Sequence, residues 1–276
     1  MLFSLEEEFL GMPFTFAHPA IVLPIEKKWS RYFNLTALVL GSMSPDFEYF
    51  VKLKIENKIG HSLLGFITFN LPLVIILAFI FHYVIKNTLI LHLPSKAIEL
   101  IKQEELQKPT HKVKSVLRLI IFIYSPILGM FSHTLWDSFT HENGFFVSII
   151  PALNYKIFIF PVYKLLQHGS TIVGLSIIFI FLYNQRSKEH YNKKTISLKR
   201  KVLYWAFIFL GTIAFITVRS INLPLYFTVK TIGTLIVSSI SGLFLSITLV
   251  SVIFYKKSSR IPNKKHKEIF QRIEQN

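Results

Sequence analysis

The chain contains no cysteine, which excludes disulfide scaffolds, thiolate-held zinc and cysteine nucleophiles. Aspartate is almost absent: among 276 residues only Asp46 and Asp137 occur. Charged residues make up 17% of the chain, against about 25% in an ordinary soluble domain. There is no phosphate-binding glycine loop, no nucleophile elbow and no His-Glu-x-x-His helix. Glu6, Glu7 and Glu8 stand where a secretory signal would carry its basic segment, so none is expected.

Apolar residues are what the chain has in quantity. They form 51% of it, Phe alone counts 27, and mean hydropathy is +0.47. Several uncharged runs exceed the ~18 residues that a membrane span requires. Five transmembrane helices are expected, over Ser62–Ile85, Arg118–Phe139, Leu165–Gln185, Val202–Val218 and Thr231–Tyr255. Pro72 should kink the first. Phe9–Ile25 is broken by Pro13, Pro19 and Pro24, and Tyr32–Pro45 is too short to cross. Both read as short helices in the interface or against the bundle. Gly144–Tyr155 and Ile157–Tyr163, interrupted by Pro151 and Pro161, suit a re-entrant or interfacial role. The expected fold is all-α: a polytopic membrane helix bundle of about five spans, plus short interfacial or re-entrant N-terminal helices. Residues 1–185 would carry the site, 186–255 two further spans, and 256–276 a basic tail.

The net charge of +16 then reads as membrane orientation rather than a nucleic-acid footprint. Segments 86–118, 186–201 and 256–276 each carry seven Lys or Arg, whereas 141–169 and 219–230 carry two each. This alternation places the C-terminus in the cytoplasm and residues near 60, 140, 168 and 225 outside. Membrane lipid is the expected partner, with anionic headgroups at the basic tail. No motif supports specific nucleic-acid binding.

The strongest chemical signal is His133-Thr-Leu-Trp-Asp137-Ser-Phe-Thr-His141. Positions i, i+4 and i+8 share one helical face, but eight residues rise about 12 Å, too far for all three to bind one ion. His133 and Asp137 could share a metal, with His141 turned to a second ion or to substrate. Glu142-Asn143-Gly144 follows as a helix stop. Asp46 after Ser44-Pro45 fits a helix start with Ser44 as N-cap, and a ligand at a helix mouth would look the same. His61, His18 and His168 have local readings as interfacial, turn and capping residues. Topology nonetheless brings them to the level of both aspartates. Such a nitrogen-and-oxygen donor set suits Zn²⁺, or less specifically Mn²⁺, Fe²⁺ or Ni²⁺. The alternative is structural hydrogen bonding between helices.

Met12-Pro-Phe-Thr-Phe-Ala-His18-Pro19, Gly41-Ser-Met-Ser-Pro-Asp46-Phe-Glu-Tyr, Gly60-His61-Ser-Leu-Leu-Gly65, Ser132-His133-x3-Asp137-x3-His141 and Gln167-His168-Gly-Ser occur in that order. Together they resemble an uncharacterised bacterial multi-pass membrane-protein family, a domain of unknown function. That family is akin to the inner-membrane metal-dependent hydrolases. The resemblance covers roughly residues 12–185. It implies a membrane-embedded site like that proposed for zinc phospholipase C-like hydrolases, in the bacterial plasma membrane. Its ligands would be His18, Asp46, His61, His133 and Asp137, with His141 and His168 beside them. Three readings follow. One is a hydrolase of a lipid or another ester or phosphoester, with His141 as general base or acid. The others are a non-catalytic membrane protein with structural His/Asp packing, and a small transporter.

Overall fold

A computed structural model describes residues 15–29, 31–55, 58–94, 115–184, 196–221 and 228–258. Residues 259–276 of the expected basic tail lie outside the described residues, as do the first fourteen residues and the greater part of two basic loops. The chain is a predominantly helical membrane protein, and among the described residues five helices are long and apolar enough to span a bilayer.

It opens with a 3₁₀ segment, Thr15–Ile21, that carries Pro19 within it. The short helices α1 (Leu23–Trp29) and α2 (Leu35–Met43) follow. Asn34 caps α2, its Oδ1 accepting the Ala37 N–H at 2.9 Å. A 3₁₀ turn, Ser44–Asp46, leads into α3 (Phe47–Lys52). The first span, α4, is Leu63–His92, capped by Ser62, whose Oγ accepts the Gly65 N–H at 2.9 Å. It runs past the expected end at Ile85 and includes Lys86. Two π-helical segments interrupt it, Phe66–Asn70 and Phe81–Ile85. The structure therefore meets Pro72, which lacks an N–H to donate, with a wider turn on its N-terminal side.

The second span is α5 (Ser115–Thr140). The stretch expected to be re-entrant or interfacial holds α6 (Phe145–Ile149), a 3₁₀ turn (Pro151–Asn154) and a small hairpin that alternation had not announced. The hairpin pairs β1 (Lys156–Ile157) with β2 (Phe160–Pro161), antiparallel. The remaining spans are α7 (Val162–Asn184), α8 (Leu198–Ser220) and α9 (Val229–Ser258).

Only 11–33% of each span's most apolar stretch is buried, so most Leu, Ile and Phe face outward, as lipid solvent demands. The interior is correspondingly polar: Ser42, Ser44, Asp46, Glu48, Asn70, His133 and Gln167 are all buried. Helices approach through small residues as well as through small apolar clusters, Phe66 with Val74 and Met130, and Tyr204 with Ile208 and Val250. A Cβ on Gly41 would overlap the Pro126 carbonyl of α5, and one on Gly129 would sit 2.5 Å from Leu38 O and Ser42 N of α2. The backbones of α2 and α5 thus touch. At the opposite end α8 and α9 pair and dock on the end of α4. There His92 stacks on Tyr204 at 4.3 Å, and Trp205 Nε1 donates to His92 O at 3.1 Å.

Gly41→Ala and Gly129→Ala should each destabilise the protein by about 1–3 kcal/mol, the cost of overpacking, read as a lower thermal midpoint in detergent. Gly169→Ala on α7 is the control, since a Cβ there meets nothing within 4 Å. It should leave the midpoint unchanged or higher, because helical Gly costs up to about 1 kcal/mol. A Gly129→Ala protein as stable as wild type would contradict the backbone contact.

Candidate metal centre

The contact of α2 with α5 fixes the first ligand. The Ser42 carbonyl accepts a hydrogen bond from His133 Nδ1 at 2.8 Å, and the ring is fully buried. With its proton on Nδ1, His133 turns the Nε2 lone pair inward. Asp137, one helical turn on, places Oδ2 3.0 Å from that atom. His61, just before the Ser62 cap, puts Nε2 3.1 Å from the same oxygen. Asp46 Oδ1 completes the group, 3.5 Å from His133 Nε2 and 3.7 Å from His61 Nε2.

Ser44 does not serve as the N-cap that local reading suggests, and neither does the Asp46 carboxylate. The carboxylate makes no capping bond, and Ser44 Oγ donates to Gly41 O at 3.0 Å. Instead Asp46 Oδ2 accepts from Thr15 Oγ1 at 2.7 Å, which ties the N-terminal segment to the site.

Asp46, His61, His133 and Asp137 can offer ligand atoms that all lie within 4.8 Å of one another. Around an ion bound at about 2.0–2.1 Å, tetrahedral ligands are separated by roughly 3.3 Å. The four nitrogen–oxygen separations, 3.0 to 3.7 Å, bracket that value. His133 Nε2 and Asp137 Oδ1 are buried without a hydrogen-bond partner, which is costly unless something else satisfies them. Two carboxylates with two neutral imidazoles carry a charge of −2, which a divalent cation neutralises. The residues therefore fit a metal ion.

Asp137 also faces a second pair. Its Oδ1 lies 3.7 Å from His18 Nε2 and 3.7 Å from His141 Nδ1. His18 comes from the 3₁₀ segment and stacks on the His133 ring at 3.8 Å. Burial lowers His18 to about 4. His141 is about one-third exposed at the mouth of the site. Its Nδ1 donates to Asp137 O at 3.1 Å, and its Nε2 meets the Gln167 amide nitrogen at 3.4 Å. Both contacts suit a neutral ring with the lone pair on Nε2. His168 is placed elsewhere: it is exposed on α7 and outside the four-residue group. Gln167, the preceding residue, is the one buried toward the site. Gly144 follows the end of α5 as expected, though not as a left-handed stop. Its φ is −69°, and a Cβ there would overlap the Ser138 carbonyl.

Glu48 is the supporting residue that motif reading passed over. It is 2% exposed, and its Oε2 accepts the backbone N–H groups of Lys58, Ile59 and Gly60 at 3.0, 2.8 and 2.8 Å. Its Oε1 takes the Lys52 ammonium. Asn70, at the end of a π-helical segment, grips the same loop by donating to Gly60 O at 2.6 Å. The loop that presents His61 is thus held from two sides. Burial alone would raise the Glu48 carboxyl, but Lys52 and the three N–H donors outweigh it and bring it to about 2. An acid two residues after Asp46, inside the apolar run Phe47–Val51, was the available signal.

Residues 12–252 match the family described as a domain of unknown function, DUF4184, and the chain belongs to that family. No curated protein matches the chain, and no solved structure does.

Glu48→Gln keeps an acceptor oxygen but loses the charge, and should cost about 1–2 kcal/mol at pH 7. Because the folded carboxyl titrates below its ordinary 4.5, the stabilisation is complete above that pH and fades as pH falls toward 2. Thermal midpoints of wild type and variant should therefore converge across that window. A difference that persists to pH 2 would contradict the assigned charge.

Proposed function

We propose that this DUF4184 protein is a metal-dependent hydrolase of a lipid or another ester or phosphoester at the membrane surface. The observation that carries the reading is the group of Asp46, His61, His133 and Asp137, whose ligand atoms lie within 4.8 Å of one another with the unpartnered His133 Nε2 among them. Zn²⁺ is the ion we favour for two imidazoles and two carboxylates. Such an ion, when bound, polarises an ester or phosphoryl oxygen and makes water acidic enough to ionise near neutral pH.

The chain's own groups have separate tasks. Ser42 and Thr15 orient His133 and Asp46 through their hydrogen bonds, and Glu48 holds the loop before His61. His141, partly exposed beside Asp137, takes a proton on Nε2 as the water oxygen bonds to the acyl carbon or phosphorus. The bond to the leaving alcohol breaks, and its oxygen receives that proton back from His141. His18 shields the far side of His133 from solvent by stacking. The alternation of Lys- and Arg-rich segments with the poor segments 141–169 and 219–230 favours the external face of a bacterial plasma membrane, with the C-terminus in the cytoplasm. The Lys- and Arg-rich composition of 86–118, 186–201 and 256–276 supports contact with anionic lipid.

A non-catalytic reading has one observation in its favour: 3.0 and 3.1 Å from Asp137 Oδ2 to the two imidazoles are also hydrogen-bond distances. Transport is less favoured, since the clustered groups gather at one end of the bundle. Purified protein in lipid nanodiscs should cleave long-chain p-nitrophenyl esters or bis-p-nitrophenyl phosphate. Chelator should abolish turnover, added Zn²⁺ should restore it, and Asp137→Asn should lower it at least 100-fold. Absence of turnover of either probe in a metal-loaded protein, or turnover indifferent to chelator and to Asp137→Asn, would overturn the hydrolase reading.

A further inference from the structure

Beside the metal group lies a cavity of about 350 Å³ between the Thr15–Ile21 segment and α7, within the ~300–1,000 Å³ range of ligand sites. Its walls are largely apolar, with Ala17, Ile21, Leu165, Leu166, Val173 and Ile177 among them. His18 and Trp136 also line it. His18 is the residue stacked on His133, and Trp136 directly precedes Asp137, so the cavity and the metal group share a wall. From Leu165 to Ile177 the helix rises roughly 18 Å, at 1.5 Å per residue, which gives the cavity an elongated side along the span.

The polar groups on this wall are already engaged. The hydroxyls of Ser170 and Thr171 donate to Gln167 O at 2.9 and 3.1 Å, and Trp136 Nε1 donates to Ser170 Oγ at 3.2 Å. A polar ligand lying here would find few donors and lose its hydration. An alkyl chain would lose nothing and would gain about 0.8 kcal/mol for each buried CH₂ as a general transfer value. Gly169 leaves the wall open, since a Cβ there meets no atom within 4 Å, whereas Gly174 closes the base, where a Cβ would stand 2.9 Å from Ala17 O.

We infer that this cavity is an alkyl-chain site, holding the fatty chain of an amphiphile whose ester or phosphoester head lies at the Asp46–His61–His133–Asp137 group. The inference deepens the hydrolase reading and rests on it for the identity of the head. The occupant is a membrane lipid entering sideways from the bilayer, since the cavity wall belongs to a membrane-spanning helix and is lined by outward-facing Leu165, Leu166, Val173 and Ile177.

The test uses the full-length protein in vesicles of phosphatidylethanolamine and phosphatidylglycerol, doped with phosphatidylglycerol that carries a diazirine near the end of one acyl chain. After irradiation, adducts are mapped by peptide mass spectrometry, and bound zinc is measured on the same samples. Adducts should concentrate on Ile21 and residues 165–177, at least tenfold above Phe209 and Leu210 of α8, which are comparably exposed to lipid. Gly169→Phe, which fills the open wall, should abolish that excess while leaving α8 labelling and zinc content at wild-type levels. Ile177→Trp fills the other end and should act alike, so a folding failure of one variant does not decide the matter. Labelling of α7 no denser than that of α8, or unchanged in both variants, overturns the alkyl-chain site and leaves the metal reading standing. Dense, variant-sensitive labelling in a protein that binds no zinc supports the chain site and overturns the hydrolase reading.

Discussion

The backbone contact of α2 with α5 is the constraint from which the site follows. Gly41 and Gly129 allow the two helices to touch, and the contact delivers the Ser42 carbonyl to His133 Nδ1 at 2.8 Å. That one hydrogen bond fixes the ring's tautomer and turns its other nitrogen toward both aspartates. A side chain at either glycine would force the helices apart, leaving an imidazole free to rotate. Small residues therefore set the geometry of the His/Asp group as well as the packing.

A lipid-facing protein inverts the usual arrangement of apolar and polar surface. With Leu, Ile and Phe turned outward, its interior is tied together by serine, histidine, acid and amide groups, each of which must be satisfied. Most are. Glu48 spends its carboxylate on three backbone N–H groups and Lys52, and Asp46 accepts from Thr15. Among the described residues eight buried side-chain atoms lack a hydrogen-bond partner, and His133 Nε2 and Asp137 Oδ1 are the two that belong to the four-residue group. Two carboxylates in such surroundings carry a charge that burial penalises by several kcal/mol unless it is compensated. A divalent cation meets both requirements at once.

Much of this was legible in the residue order. Uncharged runs located all five spans, and the helix ends moved by only a few residues except at Ile85, where the helix continues to His92; the second closes at Thr140, before the short helix Phe145–Ile149. The scarcity of aspartate made Asp46 and Asp137 conspicuous, and the i,i+4 spacing put His133 and Asp137 on one face. What stayed hidden depends on tertiary contact. His168 and Gln167 differ by about 100° around a helix, and only packing decides which points inward. Gly174, seven residues after Gln167 and buried on the same helix, marked that face. No spacing motif marks Glu48, whose role comes from the loop 58–60 wrapped around it. The π-helical turns at Phe66–Asn70 and Phe81–Ile85 leave no trace in apolar periodicity.

The most direct measurement is X-ray absorption at the metal edge, with metal quantified per chain, on protein purified without chelator. Wild type should carry about one zinc ion with two nitrogen and two oxygen neighbours at about 2.0–2.2 Å, and Asp46→Ala and His61→Ala should each lose most of it while remaining folded. Equal and negligible metal in wild type and both variants, after incubation with Zn²⁺, Mn²⁺ and Fe²⁺, would leave the buried imidazoles and carboxylates as a hydrogen-bonded network and nothing more.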